Sequence, residues 1–202
     1  FEWERLMSRI EILRNAPIYI DDTPSLSVFE LRTKARRLVR EHGIKIIIID
    51  YLQLMNASGM SFGSREQEVS TISRSLKQLA KELQIPIIAL SQLNRSVESR
   101  GNDKDGKEGK RPQLSDLRES GAIEQDADMV CFIHRPEYYT RSKEDANGNS
   151  IEGLAEFIIA KHRSGATDTV NMKFVSYLAR FQNYDEDTRL TDFSAPVTSK
   201  FN

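Results

Sequence analysis

Ile44-Lys-Ile-Ile-Ile-Ile-Asp50 is the stretch on which the reading of this chain turns. A strand with one face in water alternates apolar and polar residues, whereas this run leaves no polar face. It therefore predicts a central strand covered on both faces, as in a parallel sheet. The run stops at Asp50. Ligands of open α/β sheets bind outside the carboxyl ends of the strands, so an acid at that place is well positioned for chemistry.

On the upstream side, Ser27 and Glu30 have capping-box spacing ahead of Val28, Leu31, Ala35, Leu38 and Val39. They predict a helix that ends near Gly43. Ile18-Tyr-Ile20 reads as a short strand closed by Asp21-Asp-Thr-Pro24, and Trp3, Leu6, Met7, Ile10 and Leu13 predict an amphipathic helix over 2–15. On the downstream side, residues 55–64 form a Gly/Ser-bearing loop. Val69, Ile72, Leu76, Leu79, Ala80 and Leu83 then define a third helix. Ile85-Pro-Ile-Ile-Ala-Leu90 is a second buried strand, with Pro86 at its start, where a missing N–H matters least.

Residues 95–112 are charged and aperiodic and read as a mobile loop; 115–125 read as a short helix broken by Gly121. Further strands are expected over 129–133, 154–160 and 170–175, the last pairing with 178–182 as a hairpin. Helices alternating with strands, then a run of strands, give an α/β fold. The expected architecture is a mostly parallel sheet with flanking helices and an antiparallel C-terminal hairpin. Residues 1–183 are expected to form one domain and 184–202 a polar tail.

Composition narrows the class without naming it. The 202 residues are 39% hydrophobic and 29% charged, enough for a real core. The 29 basic and 30 acidic residues nearly cancel, so any nucleic-acid contact must come from a local patch. The lone Cys131, in an apolar run, excludes an internal disulfide framework and suits a reducing compartment. No stretch approaches the roughly 20 apolar residues of a membrane span. The N-terminus has no signal-peptide pattern, which makes the cytoplasm the default.

Asp50 is the first candidate for chemistry. Four apolar residues followed by Asp resemble the Walker B element, whose acid holds Mg²⁺, usually through water, beside nucleotide phosphates. The competing reading is an acid that merely caps a strand end. Gln92, just past the next buried strand, could donate to a γ-phosphate oxygen or orient a water; otherwise it is a polar loop residue. Lys161 and Arg163 follow a strand, and i and i+2 point to the same side of an extended chain. Two cations there could neutralise a transferring phosphoryl group, unless they form only a solvated basic turn. His162 alternates to the other side, and with His42 and His134 it shows no metal-ligand spacing.

Residues 101–107 (Gly-Asn-Asp-Lys-Asp-Gly-Lys) imitate the phosphate-loop spacing, but Glu108 stands where a hydroxyl should meet Mg²⁺. No predicted strand leads into them, so no phosphate loop is assigned. Arg95, Arg100, Lys104, Lys107, Lys110 and Arg111 could track a nucleic-acid backbone or be simply solvated. Arg118 could meet a phosphate, and Gly121 would permit close backbone approach.

Taken in order, Tyr19-Ile-Asp-Asp-Thr-Pro24, Asp50-Tyr-Leu-Gln-Leu54, Glu68-Val-Ser-Thr-Ile-Ser-Arg-Ser-Leu-Lys77, Ala89-Leu-Ser-Gln-Leu93, Asp116-Leu-Arg-Glu-Ser-Gly121 and Ala160-Lys-His-Arg-Ser-Gly165 closely resemble the DnaB-type replicative helicases of bacteria. The resemblance covers most of 1–183. It implies a RecA-like motor: a homo-hexameric ring coupling ATP hydrolysis, with Mg²⁺, to movement along single-stranded DNA. By position, Asp50 matches the Walker B acid and Gln92 the γ-phosphate-sensing glutamine. Arg163 matches the arginine finger reaching the neighbouring subunit's nucleotide, with Lys161 beside it. Arg118, Glu119 and Gly121 match the loop that holds DNA in the central channel. The family also implies a primase and a helicase loader as partners, and no membrane.

In that family the phosphate loop and the strand carrying the catalytic glutamate lie N-terminal to this region. The chain is therefore expected to be the motor domain cut before its phosphate loop, unable alone to bind ATP tightly or to unwind DNA. A RecA-like recombinase or clock-type ATPase would share Asp50 and Gln92, but not Asp116-Leu-Arg-Glu-Ser-Gly121. A non-catalytic module that binds only DNA or a partner subunit remains the alternative from another class.

Overall fold

The first helix, α1 (Glu2–Arg14), forms where the apolar spacing puts it, yet Trp3 is 70% exposed and the rest of its apolar stripe is also open. The computed structural model describes residues 2–59, 61–100, 110–139, 144, 148 and 150–184. After α1 come α2 (Val28–His42), β1 (Ile47–Ile49), a 3-10 turn (Leu52–Leu54), α3 (Arg65–Leu83) and β2 (Ile87–Ala89). A short α4 (Ser96–Ser99), a 3-10 segment (Leu114–Ser120) and α5 (Gly121–Asp126) follow. The chain then runs through β3 (Met129–His134), α6 (Pro136–Tyr139), β4 (Leu154–His162), β5 (Asp168–Val175) and β6 (Arg180–Asn183). No helix among the described residues is long and apolar enough to cross a membrane.

The chain divides into two compact units, Phe1–Gln92 with Glu119–Ala127, and Leu93–Arg118 with Asp128–Asn202. In the first unit, Ser27 and Glu30 form the expected capping box: the Glu30 N–H donates to the Ser27 hydroxyl at 3.2 Å, and the Ser27 N–H donates to the Glu30 carboxylate at 3.1 Å. Gly43 closes α2 in the left-handed conformation (φ 62) that a non-glycine residue resists. The inner faces of α2 and α3 bury Leu31, Ala35, Val69, Ile72, Leu76 and Leu79. Each of the larger aliphatic side chains stabilises by roughly 1.5–3 kcal/mol.

β1 and β2 are parallel, with Ile47 opposite Ile87 and Ile49 opposite Ala89. Ile47, Ile49 and Ile87 pack on the helical core. Ile48 and Ile88 point the other way and are 64% and 48% exposed, so the expectation of cover on both faces is corrected. The pair is a two-stranded sheet within its unit, and only one of its faces meets the helices. The expected strand at Ile18-Tyr-Ile20 is also absent. With no neighbouring strand among the described residues to pair its backbone, the segment stays irregular, Ile20 is 88% exposed, and Tyr19 stacks on His42 at 4.5 Å.

The second unit holds the antiparallel part, which is larger than a hairpin: four strands in the order β3-β4-β5-β6. Val130, Phe132, Ala155 and Ile158 are buried in it. Arg135 lies over the Phe174 ring at 3.8 Å. Cys131, half-buried in β3, has its thiol pushed up by burial. Part of the supposed mobile loop is fixed in this unit, because Arg100 is ion-paired with the buried Asp116. Arg111 also donates to Glu156 at 3.0 Å and to Thr169 at 2.9 Å. These two cations are thus ion-paired within their own unit. The imitation phosphate loop at 101–107 and the tail from 185 lie outside the described residues.

Candidate functional site

Parallel register decides where the two strand-end candidates emerge. Beyond the paired residues Ile49 and Ala89, the Leu90 N–H donates to the Ile49 carbonyl (2.9 Å) and the Leu52 N–H to the Leu90 carbonyl (2.8 Å). Asp50 and Gln92 thus leave β1 and β2 at the same carboxyl edge, and both are exposed. The Asp50–Tyr51 peptide is cis. Tyr51, Leu90, Ser91 and Gln92 line an open hollow of ≈ 370 Å³.

Around this edge a side chain that sequence reasoning did not single out is the best connected. The Gln53 amide donates to the Ser91 hydroxyl at 3.0 Å and to the Gln92 carbonyl at 3.3 Å, and it accepts from the Gln92 N–H at 3.3 Å. Arg65, at the start of α3, donates to the Gln53 carbonyl at 2.8 Å and the Met55 carbonyl at 3.0 Å. The same guanidinium is ion-paired with Glu68, whose carboxylate also accepts the Ala57 N–H at 3.0 Å. That carboxyl is held below its ordinary range, first by the Ala57 N–H and then, against some desolvation, by Arg65.

Asp50 suits a Mg²⁺ ion held through water. The ion keeps much of its hydration and needs only one or two carboxylates, and an exposed acid at a strand end leaves room for those waters. No group of three or more His, Cys, Asp or Glu among the described residues forms a protein-only cage.

Lys161 and Arg163 lie in the second unit. Lys161 pairs with Val130 near the end of β4, and the Arg163 N–H continues the ladder by donating to the Asp128 carbonyl at 2.8 Å. The Arg163 guanidinium is 3.7 Å from the Asp128 carboxylate, with the two side chains 53% and 64% exposed. Gly165 is required by a close approach: a Cβ there would stand 2.3 Å from the His162 ring nitrogen Nδ1. The backbone of Arg118 and Glu119 runs through the 3-10 segment, and Gly121 opens α5. A Cβ at Gly121 would meet nothing within 4 Å among the described residues beyond its own helix and chain neighbours.

The chain is thus a mixed α/β protein with an acid and an amide at one carboxyl edge of its parallel pair. The profile of the DnaB-like helicase C-terminal domain matches residues 1–183. The chain is 50% identical over 184 residues to the replicative DNA helicase DnaB of Geobacillus stearothermophilus, covering 91% of this chain and 38% of that protein. It is 48% identical to the replicative DNA helicase DnaC of Bacillus subtilis (strain 168), covering 96% and 40%. Among solved structures, one ATPase domain superposes with a TM-score of 0.76 at 41% identity, over 90% of this chain and 60% of that one. A DnaB-like replicative helicase, described with its interactions with primase, superposes with a TM-score of 0.76 at 42% identity, covering 90% and 40%. This chain belongs to the DnaB-like helicase C-terminal domain family, and it spans about two fifths of the length of the first two relatives.

Proposed function

We propose that the chain is the C-terminal portion of the motor domain of a hexameric, ATP-dependent replicative DNA helicase. Residues 1–183 are the motor portion and 184–202 a polar tail. The observation that carries this reading is the parallel register of β1 and β2, which brings Asp50 and Gln92 out together beside an open hollow. Asp50 would hold Mg²⁺, and the ion would supply neutralisation of charge on the phosphate oxygens. The Gln92 amide donates to a γ-phosphate oxygen. Attack of water forms a bond to the γ-phosphorus and breaks the bond to the β–γ bridging oxygen, so negative charge gathers on the leaving diphosphate. Arg163 and Lys161 of an adjoining protomer meet that charge, and the exposure of the Arg163 guanidinium supports such a reach.

Arg118, Glu119 and Gly121 hold the backbone of single-stranded DNA, and repeated hydrolysis around the ring drives translocation and unwinding. Primase and a helicase loader are the proposed partners; a similar helicase is described with its interactions with primase. The proposed location is the cytoplasm. The imitation at 101–107 is not assigned as a phosphate loop, because Glu108 stands where a hydroxyl belongs. Calorimetric titration tests this directly. The 202-residue chain should show no micromolar affinity for ATP, whereas a full-length helicase of the family should bind it. Micromolar binding by the chain alone would overturn the assignment.

A further inference from the structure

The sheet stops supporting the chain before it reaches Gln92. The last backbone bonds between the two strands involve Leu90, which donates to Ile49 and accepts from Leu52. Two residues later Gln92 stands exposed; the half-buried Gln53 side chain meets both its N–H and its carbonyl, and the Ser91 hydroxyl donates more weakly to the same carbonyl at 3.5 Å. A primary amide carries an acceptor and a donor in one plane, as a peptide group does, so Gln53 continues the ladder where no strand remains. Its third contact, to the Ser91 hydroxyl at 3.0 Å, fixes the preceding residue as well.

The clamp is itself anchored. Arg65 grips the Gln53 carbonyl and the Met55 carbonyl, while Glu68 grips Arg65 and the Ala57 N–H. Both ends of α3's first turn are thus tied to the segment that follows β1. A side chain that touches a reacting phosphate is effective only if its backbone is held to within a fraction of an ångström. For Gln92 the sheet does not supply that restraint, and Gln53 does.

We propose that Gln53 is a positioning residue for ATP hydrolysis: its amide locks the Ser91–Gln92 backbone and so aims the Gln92 side chain at the γ-phosphate. This rests on the reading of Gln92 as the phosphate-sensing residue. Gln53 acts through Gln92. Its loss lowers turnover and leaves nucleotide affinity, which is set elsewhere, nearly intact. Gln53→Met keeps the length and removes the amide. Gln53→Glu keeps an acceptor for the Gln92 N–H but cannot donate to its carbonyl, so it ranks between the wild type and Gln53→Met.

The experiment measures DNA-stimulated ATP hydrolysis by the full-length protein, together with hydrogen exchange at the Gln92 amide. In Gln53→Met, kcat should fall about tenfold with KM for ATP within about twofold. Exchange at Gln92 should rise as its N–H loses its acceptor, and Gln53→Glu should recover part of the turnover. A merely structural role would instead lower the melting temperature and leave kcat per folded molecule unchanged. Unchanged exchange at Gln92 overturns the clamp. Faster exchange with unchanged kcat overturns its role in hydrolysis. Gln92→Ala, run alongside, separates the two readings: if it too leaves kcat intact, the assignment of Gln92 has failed and the functional half of the proposal falls with it.

Discussion

At the carboxyl edge of β1 and β2, the groups around Gln92 are tied back into the protein: Gln53 holds its backbone, Arg65 holds Gln53, and Glu68 holds Arg65. The turn after β4 is organised the other way. Arg163 and Asp128 are both more than half exposed and 3.7 Å apart, and an exposed pair of that kind contributes little, about 0–1 kcal/mol. One region spends its hydrogen bonds on holding a short amide still. The other holds the Arg163 guanidinium where it is more than half exposed. The proposed reaction centre, completed between subunits, would use both: a rigid half to define the geometry and an exposed half to close it.

The largest expected effect tests the exposed half. Arg163→Ala in the full-length protein should lower the DNA-stimulated rate of phosphate release about 10³-fold, and Arg163→Lys should not restore it, because the planar fork of donors is lost. A loss of less than tenfold would reduce the turn to a solvated basic patch and break the comparison. Asp50→Asn should cost about 10²-fold in kcat and raise the Mg²⁺ concentration needed for half-maximal rate.

Gly121→Ala should raise the dissociation constant for single-stranded DNA roughly three- to tenfold with no loss of thermal stability. Among the described residues beyond its own helix and chain neighbours nothing lies within 4 Å of the added carbon, and alanine is the better helix former. The smallest effect falls on the scaffold beneath the rigid half. Ser27→Ala should cost about 1 kcal/mol by denaturant unfolding without altering kcat per folded molecule. The Glu30 carboxyl is held below its ordinary range, first by the Ser27 N–H and then by the Ser27 hydroxyl. Its folded value is lowered, so its contribution is present above the ordinary carboxylate range and disappears as pH falls through the lowered value. Ser27→Ala keeps the Ser27 N–H, so only the part of the gap that comes from the hydroxyl's bond to the carboxylate should narrow in acid.

Local signals carried most of the first unit. The capping box at Ser27, the closing Gly43, and the apolar spacing of α2 and α3 are interactions within a few residues, so sequence spacing reports them directly. The placement of Asp50 and Gln92 followed from two apolar runs and the rule that ligands sit beyond strand ends. What stayed hidden depends on partners far along the chain. Ile18-Tyr-Ile20 has the composition of a strand but no neighbour to pair with among the described residues, and the isoleucine run was read as covered on both sides while Ile48 is exposed. Gln53 sits within a string quoted for its resemblance, yet nothing local reveals that its amide reaches a residue 39 positions away. Arg100 and Arg111 looked like loop cations, and only the fold shows them paired with Asp116 and Glu156.

Mixing two inactive full-length variants tests the central claim most directly. Rings assembled from equal amounts of Asp50→Asn and Arg163→Ala subunits contain interfaces that join an intact Asp50 to an intact Arg163 from the neighbour, about a quarter of the total under random head-to-tail assembly. The account expects ATP hydrolysis to return to a comparable fraction of the wild-type rate. Mixed rings as inactive as either variant alone would contradict it, because the carboxylate and the guanidinium would then have to come from the same subunit.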